Sequence, residues 1–327
     1  MRRLASIPEL NPLVRSRVAL LAEGWTERSI ASAVRDGRLH VVRRGAFMQH
    51  DDVSGLWPEG RHLAHVIAVA RDLSGGAVAS HESAAVAWAL PLYRHRPSRV
   101  HLTTPAPNRI SSGRDVIRHV APLPASDIVI RSGIRCTSLE RTVFDMMRTL
   151  GPEAAVAAAD AGERLFALRG RVWDEDAVAY WRRSMRERVD AASGARGVRQ
   201  ARWVAAFADG RAQLPGESVS RLQLVRLGFE APRLQVPVAG PNSQTYFVDF
   251  GLSDVRAFGE FDGKDKYLDV AMRRGMPLEQ VLLDEKRRED WIRGTTQWRF
   301  ARWEDEHSAT PQALAARLAS FGIRPPG

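Results

Sequence analysis

Residues 246–267 read YFVDFGLSDVRAFGEFDGKDKY. Two runs of aromatic and β-branched residues flank Ser253-Asp254, a turn signal, so the stretch is expected to fold as a β-hairpin. Each run carries acid: Asp249 in the first, Glu260 and Asp262 in the second. Counting outward from the turn brings Asp249 and Glu260 side by side near one end. Glu260 and Asp262 stand two apart, so on a regular strand both point to one face. Burying carboxylates in neighbouring strands is expensive unless a cation or hydrogen bonds compensate. Hard oxygen donors of this type select Mg²⁺ or Mn²⁺ over metals that prefer soft ligands. An ion held by Asp249 and Glu260 would polarise a phosphodiester and acidify an attacking water. A lysine beside it would orient that water or meet the developing negative charge.

Outward from the hairpin, residues 215–229 (PGESVSRLQLVRLGF) predict an amphipathic helix opened by Glu217, with Val219, Leu222, Leu224 and Leu227 as its apolar set. Downstream come a basic helix over 284–293 (DEKRREDWIR) and a strand over 297–303 (QWRFARW). A helix Glu, a strand Asp, a Glu-x-Asp-Gly strand, a basic helix and a last strand occur in that order. Over roughly residues 214–305 the set resembles the PD-(D/E)XK nuclease superfamily, most closely its very-short-patch-repair-like branch. The resemblance implies a restriction-endonuclease-like αβ core in which Asp249 and Glu260 bind the metal and Glu217 supports them. One position departs from it: the superfamily's lysine, two residues after the acid, is here Asp262. Lys264 and Lys286 are the candidates to replace it. If neither reaches the water, the result is a folded domain that binds DNA without cutting it. The chain has only three lysines, Lys264, Lys266 and Lys286, against 45 arginines, and all three lie in this segment.

The whole chain has 327 residues, enough for two or three domains, with 44% hydrophobic and 26% charged residues. Its formal net charge of +10 favours polyanionic partners, nucleic acid first among them. Cys136 is the only cysteine, which excludes a disulfide framework and a cysteine-based zinc site; it reads as a small buried hydrophobe. No apolar run reaches the roughly 20 residues that span a bilayer, and Met1-Arg2-Arg3 is not followed by a leader pattern. A cytoplasmic protein with no membrane partner is expected.

At the other end, Pro12 to Gly24 has helical spacing, with Val14, Val18, Leu21 and Ala22 on one side. Thr26 is the expected N-cap of a second helix, Glu27 to Asp36, that buries Ile30 and Val34. A strand from Leu39, a basic turn at Arg43-Arg44-Gly45 and a return strand through Phe47 complete the outline of a winged helix-turn-helix. Arg28, Ser29, Ser32 and Arg35 on the outer helix face suit base edges and phosphates, and Arg43 and Arg44 suit a wing against the DNA backbone.

Between residues 59 and 165 helical and strand-like stretches alternate. The segments EGWTERSIASAVRDGRLHVVRRGAF, SHESAAVAWALPL, VHLTTP and GIRCTSLERTVFDMMRTL together resemble the N-terminal part of AbiEi-type antitoxins of type IV toxin–antitoxin systems. That resemblance implies a cognate toxin as a further partner and a setting in phage or mobile-element defence. Ser80 is expected to cap a helix, and Thr137 or Ser138 another. His81, Glu82 and Arg141 are read as pins between loops and caps, and His62 and His65 as neighbours on a surface helix.

The expected fold class is mixed α/β and multidomain. It comprises a winged helix (1–58), an α/β middle domain (59–165), a helical connector (166–212) and the nuclease-like domain (213–327). The leading functional expectation is a DNA-binding, Mg²⁺- or Mn²⁺-dependent endonuclease. The alternative is a non-enzymatic regulator or antitoxin with a degenerate nuclease fold.

Overall fold

The computed structural model describes residues 5–73, 76–105, 112–263 and 278–326. The chain is a mixed α/β, multidomain protein built as two compact units, residues 1–162 with 174–206 and residues 163–173 with 207–327. The residues expected to form the winged helix and the middle domain thus belong largely to one unit, and the expected connector is shared between the two.

The chain begins with α1 (Ile7–Leu10), β1 (Arg15–Ser16), α2 (Arg17–Ala22), α3 (Glu27–Arg35), β2 (Leu39–Arg43), β3 (Ala46–Gln49) and α4 (His50–Ser54). The helix expected from Pro12 needs correction. Arg15 and Ser16 are extended and pair with Phe47 and Ala46, giving an antiparallel sheet in the order β1-β3-β2. Ser16 then caps α2, its Oγ accepting the Ala19 N–H at 3.0 Å. The late start turns the buried face to Leu20 and leaves Val18 and Leu21 outside, 76% and 39% exposed. Helix α3 begins where expected: Thr26 Oγ1 accepts the Ser29 N–H at 3.1 Å, and Ser29 Oγ accepts the Thr26 N–H at 2.8 Å. Ile30 and Ala33 pack with Leu20, Leu39 and Phe47, and Val34 is only partly buried.

The same unit continues through α5 (Pro58–Arg71), β4 (Val78–Ala79), α6 (His81–Ala87), β5 (Val100–Thr104), β6 (Val116–Val120), β7 (Ile128–Arg131), β8 (Ile134–Thr137), α7 (Leu139–Thr149) and α8 (Pro152–Ala167). The five strands are ordered β6-β5-β4-β8-β7. Ser138 caps α7 by accepting the Arg141 N–H at 3.3 Å. Cys136 is fully buried, and burial pushes its thiol up to about 11. His62 does not lie on a surface helix. It is 4% exposed, shares a 2.9 Å hydrogen bond with Ser83 Oγ, and burial pushes it down to about 3. Arg141 acts as the expected pin, reaching Asp145 at 2.9 Å, Asp127 at 3.1 Å and the Pro122 carbonyl at 2.8 Å. The end of α8 from Glu163, with β9 (Leu168–Arg169) and β10 (Val172–Trp173), belongs to the second unit, and α9 (Glu175–Ala191) and most of α10 (Val198–Phe207) to the first.

The second unit carries α11 (Pro215–Arg226), β11 (Arg233–Ala239), β12 (Thr245–Leu252), β13 (Ala257–Phe261), α12 (Leu278–Thr296), β14 (Arg299–Trp303) and α13 (Pro311–Ala319). The expected hairpin is β12 and β13, with Phe250 opposite Gly259 and Leu252 opposite Ala257. Strand β11, to which the sequence reading assigns nothing, extends the sheet on the far side of β12. Strand β14 pairs with β13 in parallel, which requires the crossover that contains α12. Alternation along β13 divides the core. Ala257 and Phe261 pack with Leu224 of α11 and Leu314 and Leu318 of α13, whereas Phe258 packs with Ile292 of α12.

Helix α11 is not amphipathic as expected. Ser218, Ser220, Arg221 and Gln223 are buried along with its apolar residues. Its polar groups are used inside: Ser220 Oγ accepts the Trp303 indole N–H at 2.8 Å. Trp303 also stacks on Phe250 at 5.4 Å and covers Gly259, where an added Cβ would sit 2.2 Å from the indole. Overpacking of that kind costs about 2–3 kcal/mol. Gly259→Ala is therefore expected to lower stability by that amount in urea titrations; an unchanged midpoint would show that the indole does not fill this space.

Candidate functional site

The second unit has a cleft of about 910 Å³ that gathers Asp249, Glu260, Asp262 and Glu285 with Arg164, Arg171, Arg211, Arg288 and Arg302. Trp173, Phe247 and Phe261 add aromatic surface. Continuing the β12–β13 register one step beyond Phe250 and Gly259 sets Asp249 opposite Glu260. Asp262 lines the same cleft, as the two-residue spacing on a strand requires.

The two central carboxylates are held differently. Asp249 Oδ2 accepts the Phe261 N–H at 3.0 Å, and its Oδ1 accepts the Gln235 side-chain amide at 3.2 Å. Gln235 has a φ of +50°, and the β11–β12 register, with Leu234 opposite Phe250 and Val236 opposite Val248, sets it across from Asp249. A left-handed backbone at a non-glycine residue is costly; here it accompanies delivery of the amide to Asp249. Glu260 is clamped by arginine: Oε1 lies 2.6 Å from Arg288, and Oε2 lies 3.2 Å from Arg302. Parallel pairing sets Glu260 beside Arg302 directly. Arg302 is itself shared, with Glu289 at 3.2 Å and Glu285 at 3.6 Å. Residues 285, 288 and 289 fall on one face of α12 by helical spacing.

Glu217 and Lys286 do not line the cleft among the described residues. Glu217 is buried at the start of α11, where Oε2 accepts the Gln213 N–H at 2.8 Å, and it is not among the described residues lining the cleft. Lys286 is exposed on α12 and likewise not among them. Lys264 and Lys266 lie outside the described residues.

In the winged region Arg28, Arg35 and Arg44 are exposed. Ser29 is engaged in the α3 capping box, and Ser32 donates to Asp36 at 3.1 Å. Arg43 departs from its expected role on the wing. Asp72 at 2.9 Å and Asp115 at 3.0 Å hold its guanidinium against the rest of the unit. Two opposed carboxylates satisfy this arginine locally, while Arg44 beside it is exposed at the turn.

Sequence reading missed Arg288, Arg302 and Gln235. The first two carry a usable signal: a basic helix and a strand arginine both follow the acidic strand. Gln235 carries none, because it comes from β11, a strand to which the sequence reading assigns nothing.

No family model matches the chain. It is similar to two uncharacterized proteins of Mycobacterium tuberculosis, one from strain CDC 1551 / Oshkosh and one from strain H37Rv. Each is 30% identical over 171 residues, covering 48% of this chain and 58% of the relative. The chain thus spans little more than half the length of the curated relatives it matches. No helix among the described residues is long and apolar enough to cross a membrane.

Proposed function

We propose that this is a DNA-binding protein whose second unit hydrolyses phosphodiesters with the help of Mg²⁺ or Mn²⁺. The observation that carries the reading is the convergence of Asp249, Glu260 and Asp262 on one face of the β12–β13 hairpin, within one arginine-lined cleft. The order α11, β12, β13, α12, β14 also agrees with the PD-(D/E)XK-like order expected from the sequence. The donors suit a hard divalent ion, because carboxylate oxygens are the ligands that Mg²⁺ and Mn²⁺ prefer. Asp249 and Glu260 would hold the ion, which supplies an acidified water and neutralises phosphate charge. The protein's own residues do the rest. Phe261 N–H and Gln235 fix the Asp249 carboxylate, and Arg288 and Arg302 present cations to a phosphate once Glu260 releases them. Trp173 and Phe247 offer faces on which bases stack.

One observation favours a second reading. Both Glu260 oxygens face arginine, and guanidinium groups that keep that position would stand where a metal ion is needed. In that case the unit binds nucleic acid without cutting it, and the protein is a regulator or antitoxin. Incubation of the purified protein with supercoiled plasmid and Mg²⁺ separates the two. Metal-dependent nicking supports the nuclease. Tight binding to one promoter fragment, with every substrate left intact, supports the regulator.

For the winged helix, Arg28→Ala combined with Arg35→Ala is expected to weaken duplex binding. Loss of two phosphate contacts should reduce the slope of log K against log salt by about 2. A salt titration by fluorescence anisotropy measures it, and an unchanged slope would mean that neither arginine meets phosphate.

A further inference from the structure

The first unit contains a histidine cluster that the nuclease reading does not use. His81 opens α6, His101 lies on β5, and His119 lies on the paired strand β6. One ring nitrogen from each lies within 4.8 Å of the others. The parallel register sets Leu102 beside Arg118 and Thr103 beside His119, so His101 and His119 project near one another, and His101 Nδ1 meets His119 Nε2 at 3.2 Å. Two imidazole nitrogens on one tetrahedral zinc ion, each bonded at about 2.0–2.1 Å, are separated by about 3.4 Å.

Glu82 is only 5% exposed and lies against the cluster: Oε2 is 3.0 Å from His101 Nδ1, and Oε1 is 3.2 Å from His95 Nε2. A buried carboxylate is costly unless a cation or hydrogen bonds compensate it, and a metal ion held by the imidazoles supplies a cation.

The surroundings orient the donors. His81 has a φ of +50°, a strained backbone at the start of α6, and its ring stacks 3.9 Å from His119, so these two rings turn apart when both bind one ion. Ser80 Oγ lies 3.0 Å from His81 Nδ1 and holds that side of the ring. Ser83 Oγ accepts the His101 backbone N–H at 2.8 Å and bonds His62 at 2.9 Å, which fixes β5 against α6. Supporting hydrogen bonds of this kind set the tautomer and ring orientation of metal-binding histidines.

We infer that His81, His101 and His119, with Glu82 beside them, form a binding site for a zinc-type transition metal ion. Three imidazoles and a carboxylate suit Zn²⁺ rather than Mg²⁺, so this site is chemically distinct from the carboxylate cleft and stands whether or not that cleft cuts DNA.

The test uses the full chain, stripped with a chelator and titrated with Zn²⁺, and in parallel with Co²⁺ to read coordination from its visible spectrum. One Zn²⁺ per chain and the intense bands of four-coordinate Co²⁺ are expected. His119 is half-buried, so His119→Ala should keep the metal-free fold, which a thermal melt checks; His119→Gln is the reserve if it does not. Either variant is expected to weaken Zn²⁺ binding by more than about 100-fold, the upper range for losing a mere supporting residue. His50→Ala, an exposed histidine outside the cluster, should bind as wild type does. The inference is overturned if the wild-type chain takes up no Zn²⁺, or if uptake survives unchanged in the folded His119 variant.

Discussion

Asp249→Asn is expected to lower Mg²⁺-dependent nicking of supercoiled plasmid by about 10³-fold, the scale for removing one preorganised electrostatic group from a reaction centre. Asparagine is the informative replacement because it keeps a carbonyl oxygen to accept the Phe261 N–H now bonded to Asp249 at 3.0 Å. The hairpin should therefore survive, and the loss would report the missing charge. Arg288→Ala makes the companion variant. It removes the cation 2.6 Å from Glu260, so the nuclease reading expects half-maximal nicking at a lower Mg²⁺ concentration. Nicking that persists in Asp249→Asn, with the same metal requirement as wild type, would remove this residue from the chemistry.

The second large effect concerns stability. Asp127 is 2% exposed and receives Arg188 through two bonds, at 2.7 and 2.9 Å, and Arg141 at 3.1 Å. Asp127→Ala takes this carboxylate from Arg188 and leaves Arg141 with Asp145, a change that costs about 3–5 kcal/mol in a buried pair. By contrast, Arg38→Ala breaks only the exposed pair with Asp36 and should cost less than about 1 kcal/mol. Acid provides an independent check. Burial alone would raise the Asp127 carboxyl, but Arg188 and then Arg141 outweigh it and hold the group below the usual carboxylate range. Its contribution is complete above the ordinary value of 3.8 and is lost as pH falls through the lowered folded value. Urea titrations from neutral pH down into that range should show a shallower decline in Asp127→Ala than in wild type. Parallel declines would mean that Asp127 is not ionised in the folded chain.

Periodicity made the second unit legible. Alternation along β13 placed Glu260 and Asp262 on one face, and the Ser253-Asp254 turn fixed the partner of Asp249. Capping chemistry was equally readable at Thr26 and Ser138. What escaped was tertiary in origin. Burial of Ser220 follows from a Trp303 bond across 83 residues, which no local pattern encodes. Arg43 resembles a wing residue until Asp72 and Asp115 reach it. The Pro12 to Gly24 spacing misled because pairing of Arg15 with Phe47 competes with helix formation there. The histidine cluster is dispersed over residues 81, 101 and 119 and becomes visible only when β5 and β6 pair.

The central claim is that Asp249 and Glu260 share a hard divalent ion, and crystals soaked in Mn²⁺ test it most directly through anomalous scattering. The account expects a peak in contact with both carboxylates, with Arg288 and Arg302 drawn away from Glu260. A map at saturating Mn²⁺ with both arginines still on Glu260 and no peak beside Asp249 would contradict it.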